Sequence, residues 1–363
     1  MTKKYTSLLG LLLFILTFSS CIQDDSYVSI APAQISPVNL NLSAVPYQTL
    51  SEYNFFDGNM AELEPAYGVL PYKIISGLFI DYAKAKTFVW MPKGSKASYV
   101  NDYSVFDFPN GAVLITTHYF ENVLPENSTQ MIETRLLIKK EGEWIMANYK
   151  WDEDQTEASF TTEGSIVDVK WLQNDEPRTV NYKIPSYNEC FTCHNKYDVI
   201  MPIGPKPQNI NHSISFEDGV KNQLSKWAEF GYLDSEFPSN IVSAVNWDDE
   251  SQPLDLRVRS YLDINCAHCH SEKGYCEYAP IRFAFNETED VSNMGVGVKH
   301  SFEIEKSLTH IVSAGNSTNS ALLYRISSTL DEFKMPIIGR TLQHKEGVTL
   351  IDAWIKSLKK TNN

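Results

Sequence analysis

The sequence predicts an α+β multidomain protein: an N-terminal β-rich, sandwich- or barrel-like domain followed by two mostly α-helical domains. Three observations predict this. Short β-branched and aromatic runs separated by polar turns fill positions 46–185. Apolar residues then change to helical spacing. That second half also holds two strings of one form, Cys190-Phe191-Thr192-Cys193-His194 and Cys266-Ala267-His268-Cys269-His270. At 363 residues, 43% of them hydrophobic and 12% aromatic, the chain has material for two or three cores.

The chain starts with Lys3 and Lys4, an apolar run over 8–18, and Ser19-Ser20-Cys21. A positive region, a short apolar stretch and small residues make a secretory signal, and the run is too short to favour a membrane span. Cysteine after two small residues resembles the lipobox of bacterial lipoproteins, although Phe18 departs from its usual aliphatic residue. Residues 1–21 are therefore read as a lipoprotein signal peptide ending at a lipid-modified Cys21. The alternative is an ordinary cleaved signal with an incidental cysteine. Ile22-Gln23-Asp24-Asp25 resembles the surface-export tag of some Gram-negative lipoproteins. The expected location is extracytoplasmic, anchored by lipid to the outer membrane, on its periplasmic or outer face. Residues 22–45, rich in Ser, Pro, Ala and Asn, read as a tether.

Within 46–185, positions 111–120 form one strand, and the runs 134–139 and 144–151 flank a hairpin turn at Glu141-Gly142-Glu143. Shorter strands follow around 165–172 and 179–184. His118 stands alone among these strands and reads as a satisfied or exposed histidine. The net charge is −14, from 45 acidic and 31 basic residues, and removal of the signal with its two lysines takes it to −16. That balance argues against nucleic acid and against electrostatic adhesion to anionic lipid. It is compatible with a basic redox partner.

The two C-x-x-C-H strings are the attachment signal of c-type haem. Two thiols on one turn add to the two vinyl groups of a haem, and the next histidine ligates the iron. With six Cys and eight His in the chain, chance gives roughly 0.002 such strings. A structural zinc site is the rival reading. However, 72 residues separate Cys193 from Cys266, and a four-cysteine site has no need of His194 and His270. Structural disulfides would explain neither histidine. Two c-type haems are thus expected, one on Cys190, Cys193 and His194, the other on Cys266, Cys269 and His270. Export suits this, since such haem is attached outside the cytoplasm. Cys276 is left as a buried or idle thiol.

Residues 186–250 form the expected first haem region and 251–363 the second haem domain. Val220, Leu224, Trp227 and Phe230 or Tyr232 make one helical face. Pro253 opens a helix carrying Leu254, Val258, Tyr261 and Leu262 into Cys266, and Val348, Ile351, Trp354, Ile355 and Leu358 line a terminal helix. A helix leading into C-x-x-C-H with a terminal helix packed across it is the frame of a class I cytochrome c domain. Each iron needs a sixth ligand unless its site is open. For the second haem Met335, in Lys334-Met335-Pro336, lies just before the terminal helix, where monohaem cytochromes c place theirs. For the first, Met201-Pro202 begins seven residues after His194, a span of about 25 Å at full extension. His212 has ample reach. Met201, His212, another residue and an open site all stay in play.

With these residues in view, the carboxyl-terminal half resembles a family of dihaem c-type cytochromes known mainly from bacterial genomes. The matching strings are Gly204-Pro205-Lys206, Asn222-Gln223-Leu224, the run 257–270, Gly315-Asn316 and Met335-Pro336, with upstream Glu133-Thr134-Arg135 and Tyr149-Lys150-Trp151. The resemblance implies electron transfer between an unidentified redox protein partner and the two haems. The alternatives are a dihaem peroxidase with one five-coordinate haem and a structural zinc-binding lipoprotein.

Overall fold

The computed structural model describes residues 34–300 and 304–359. The expected signal peptide, Cys21 and the first part of the tether lie outside the described residues. A ribbon of β1 (Phe56–Asp57) and β2 (Glu64–Pro65) precedes an eight-stranded antiparallel sheet. Its strands are β3 (Leu70–Tyr72), β4 (Lys84–Trp90), β5 (Val113–Val123), β6 (Ser128–Lys140), β7 (Glu143–Trp151), β8 (Ala158–Thr161), β9 (Ser165–Gln173) and β10 (Glu176–Ile184). Sequence neighbours pair throughout β5 to β8 and between β9 and β10. β5 carries β4 on its other side and touches β9 only at Val123. Lys140 pairs with Glu143, and Glu141 and Gly142 between them have φ of 52° and 84°. That is the left-handed two-residue turn whose twist matches a hairpin.

Strand alternation sorts the side chains onto two faces. Val113, Ile115, Leu136, Ile138, Ala147 and Tyr149 pack against Tyr47, Leu50, Tyr53 and Phe55 of the N-terminal segment. On the opposite face, Leu114 and Trp144 meet Leu224 and Trp227 at one end. Phe120, Trp171 and Tyr182 cluster at the other.

The expectation of two mostly α-helical haem domains is corrected by the structure. Among the described residues there are six short helices: α1 (Tyr187–His194), α2 (Pro207–Ile210), α3 (Gln223–Phe230), α4 (Leu254–Cys266), α5 (Ala321–Ser327) and α6 (Lys345–Ser357). The longest have 13 residues. Two small ribbons interrupt the region of the first motif: β11 (Asn195–Lys196) with β12 (Val199–Ile200), and β13 (Ser213–Phe216) with β14 (Gly219–Asn222). Val220, expected on a helical face, lies in β14 and is 72% exposed. The Asn222 side chain accepts from the Leu224 and Ser225 amides and starts α3 three residues later than the apolar spacing suggests. After α4, residues 267–300 and 304–316 run through turns, with Gly295, Gly297 and Gly315 at positive φ. Helical periodicity has nothing to act on there.

Residues Ser36–Asn363 form one compact unit. The connection between β3 and β4 joins its parts. The Phe79 amide donates to Asn265 Oδ1 at 2.9 Å, and the Phe79 ring stacks on His344 at 4.1 Å. Asp81 accepts from the amides of Thr341 and Leu342 at 2.8 and 2.7 Å. Buried Asp263 on α4 accepts from Lys206 Nζ at 3.1 Å and from the Phe285 amide at 3.1 Å. Gly347 lets α6 approach α4, since a Cβ there would collide with the Tyr261 hydroxyl.

Candidate metal and cofactor centre

The first motif is the body of α1. Ser186 caps it: its hydroxyl accepts from the Glu189 amide, while the Glu189 carboxylate accepts from the Ser186 amide at 3.0 Å. None of the eight α1 residues is fully buried, although Cys190, Phe191 and Cys193 are apolar. After His194 the chain doubles back. β11 and β12 enclose Tyr197 and Asp198, at φ 57° and 62°, in a tight turn. This returns Met201 to His194, where the Met201 amide donates to the His194 carbonyl at 2.8 Å and His194 Nδ1 donates to the Met201 carbonyl at 2.7 Å. Burial pushes His194 down to about 4, so the ring is neutral. With its proton on Nδ1, the lone pair is on Nε2, at the far edge from Met201.

The second motif closes α4. The amides of Cys269 and His270 both donate to the Cys266 carbonyl, at 3.2 and 2.9 Å, so the turn continues the helix tightly. Here a cleft opens, with about 1040 Å³ of empty space that includes open solvent at its mouth. Cys266, Cys269, His270 and Met335 all line it, with Phe283, Ile311 and Leu322 among its apolar walls. His270 meets the Phe283 ring edge-on at 5.4 Å, and its buried Nδ1 has no hydrogen-bond partner. Burial pushes this imidazole to about 4 and the Cys266 thiol up to about 12. Both are neutral at physiological pH.

Met335 is held by its backbone. Its amide donates to the Arg325 carbonyl at 3.0 Å. Its carbonyl accepts from Arg340 Nε at 3.1 Å and Nη2 at 2.8 Å, and the same guanidinium reaches the carbonyls of Ser328 and Leu342. A single buried arginine thus fixes the whole loop.

The two motifs meet. Cys193, His268 and Cys269 each offer a ligand atom within 4.8 Å of the others. Hydrogen bonding from Cys269, together with His268, pulls the Cys193 thiol well below its usual range, and Cys269 rises in return. The arrangement is a soft sulfur–nitrogen set. His268 is a position that motif spacing alone leaves without a role. Cys276 is a buried free thiol on the same cleft. His212 is elsewhere: its Nε2 lies 2.9 Å from both the Lys73 carbonyl and Gln223 Nε2, tying the β3–β4 connection to α3.

Of the two expectations for His118, satisfied or exposed, burial excludes the second, and Glu133 Oε1 lies 3.6 Å from its Nδ1. It is buried at 4% exposure. It faces Glu133 across the β5–β6 pair, with Arg135 two residues further along β6. The cue in the sequence was Glu133 and Arg135, two charges within the largely apolar run 131–138. Comparison with family models, curated proteins and solved structures finds no match. The chemistry of the site therefore rests on its own residues.

Proposed function

We propose that the chain is an extracytoplasmic dihaem c-type cytochrome lipoprotein that passes electrons between redox partners. One observation carries the reading. Two C-x-x-C-H turns, far apart in sequence, are folded against each other, and one opens into an apolar cleft shared by its two thiols, His270 and Met335. The residues fit a haem: free thiols, neutral imidazoles, an unpartnered Nδ1 on His270 and hydrophobic walls. Bound haem supplies an iron that takes up and releases one electron.

Cys190 and Cys193 would hold one haem with His194 as ligand. Cys266 and Cys269 would hold the other between His270 and Met335. The Met201 carbonyl steadies His194 from the Nδ1 edge, which favours a positioning role for Met201 over ligation from the opposite face. His212 is engaged away from the motif. Contact between Cys193 and Cys269 brings the two attachment sites close enough for direct electron exchange. Cys21 would carry the lipid anchor to the outer membrane, and the partner would be a redox protein facing this acidic surface.

A second reading has its own observation. Cys193, His268 and Cys269 are a three-ligand set suited to Zn²⁺ or another soft ion. Absorption spectra and intact mass of the full-length protein separate the readings. Two covalent haems, both low-spin, are expected. One high-spin haem points to the peroxidase. A protein without haem absorption that carries stoichiometric zinc overturns the cytochrome reading.

A further inference from the structure

The middle of the sheet face that carries Leu114 and Trp144 breaks the apolar pattern around it. His118 on β5, Glu133 and Arg135 on β6 and Asn148 on β7 share that face, between the apolar clusters at its two ends. Glu133 is fully buried. Its carboxylate accepts from Arg135 Nε at 3.0 Å and from the Tyr182 hydroxyl at 2.7 Å. The Glu133–Arg135 pair balances its own charge, so it requires no proton from His118. His118 Nδ1 faces Glu133 Oε1 at 3.6 Å, an ion-pair distance. Asn148 has both side-chain polar atoms buried and unpartnered. Each such group left unmet costs about 1–3 kcal/mol. The two unmet Asn148 atoms, beside a His118 whose Nδ1 is turned to Glu133, leave the middle of this face open to a polar ligand.

The first motif lies on this face. α1 follows directly from β10, β12 rests against β7, and the Arg135 charge bears on both Cys190 and His194. A carboxylate beside Nδ1 keeps the proton on that nitrogen and leaves the Nε2 lone pair on the opposite edge. This is how proteins orient histidines that bind metals. We propose that His118 is the sixth ligand of the iron held at the first motif, with Glu133 as its positioning residue and Arg135 and Tyr182 fixing Glu133. The proposal rests on the haem reading above. It supplies the ligand that neither Met201 nor His212 is placed to give.

The test uses the full-length protein carrying its haems. Intact mass counts the covalent haems, and ferric electron paramagnetic resonance reads each iron's spin state. In the wild type both haems are expected to be low-spin. H118A should keep both haems by mass while one turns high-spin, and added imidazole should return it to low-spin. H118M, which keeps a ligating atom should H118A not fold, should stay low-spin with a raised midpoint potential for one haem, since a thioether favours Fe(II). E133Q should raise the same potential without changing spin state, and should raise it less in the H118M background, where no imidazole remains to be positioned. H118A with both haems still low-spin, or a wild type with one high-spin haem, overturns the proposal while leaving the dihaem reading intact. A wild-type mass without haem on Cys190 and Cys193 overturns both.

Discussion

Burial of imidazoles predicts acid sensitivity for this protein, and His344 carries it away from the two C-x-x-C-H turns. Its ring stacks on Phe79 and its Nδ1 lies 3.1 Å from the Tyr261 hydroxyl. Burial pushes it to about 4. The unfolded chain takes up a proton below about 6.5, whereas the folded chain refuses it until about 4. Stability contributed by the neutral ring is therefore complete above pH 6.5 and falls as pH drops towards 4, by at most about 3 kcal/mol. His344→Phe should keep the stacking and remove this part of the slope. Urea unfolding at pH 7 and pH 4.5 checks it: the variant should lose about 1–3 kcal/mol less than the wild type on acidification. An unchanged slope would place the sensitivity elsewhere. The burial of His344 was not legible in Gln343-His344-Lys345, because its partners Phe79, Trp247 and Tyr261 are distant in sequence. The burial of His118 was hidden in the same way, since only strand register places Glu133 opposite it.

At the scale of elements, the Met335 loop depends on Arg340 more than on its own residues. The guanidinium satisfies carbonyls of four residues, Met335, Leu342, Arg325 and Ser328. Hydrogen bonds to a charged donor contribute about 1.5–3 kcal/mol each, and lysine cannot reproduce the planar fork. Arg340→Lys should therefore free the loop. In the haem-loaded protein this should weaken or abolish the near-infrared charge-transfer band of a methionine-ligated ferric haem while leaving both haems covalently attached. Retention of the full band would show that the loop holds itself. α4 and α6 could be read from the spacing of Val258, Tyr261 and Leu262 and of Ile351, Trp354 and Ile355, because an amphipathic stripe is a local property. The stretch between Cys266 and α5 could not, since turns and side-chain caps have no period. The β11–β12 hairpin was missed for a related reason. Its turn uses Tyr197 and Asp198 at positive φ where glycine or asparagine would have announced it.

Taken whole, the sheet and the carboxyl-terminal part are mutually dependent. Asp81 and Phe79 hold the 341–344 segment and Asn265, and Lys206 reaches Asp263. Read as a domain of their own, residues 251–363 hold two amphipathic helices, a C-x-x-C-H turn and the Met335 loop, the parts of an independent folding unit. The structure leads to the opposite prediction. A 251–363 fragment leaves Asp263 without Lys206 and the loop without Asp81, and it should not give a cooperative unfolding transition. The chain from Ser36 onwards should unfold in one step by far-ultraviolet circular dichroism and tryptophan fluorescence alike. A fragment that melts cooperatively would show that these cross-links are dispensable. Such long-range polar clasps carry no local signature in sequence, which is why independence looked plausible there.

On the dihaem reading, the meeting of Cys193 with Cys269 and His268 would also set an order of events in biogenesis. In an oxidising compartment a thiolate beside a second thiol is poised to form a cross-motif disulfide. A chain that completed its fold with bare cysteines would thus risk capping one sulfur of each pair, and neither motif could then accept its full complement of bonds. On that reading attachment would come first, while the two turns are still apart, so that each cysteine is committed within its own pair before folding introduces it to the other.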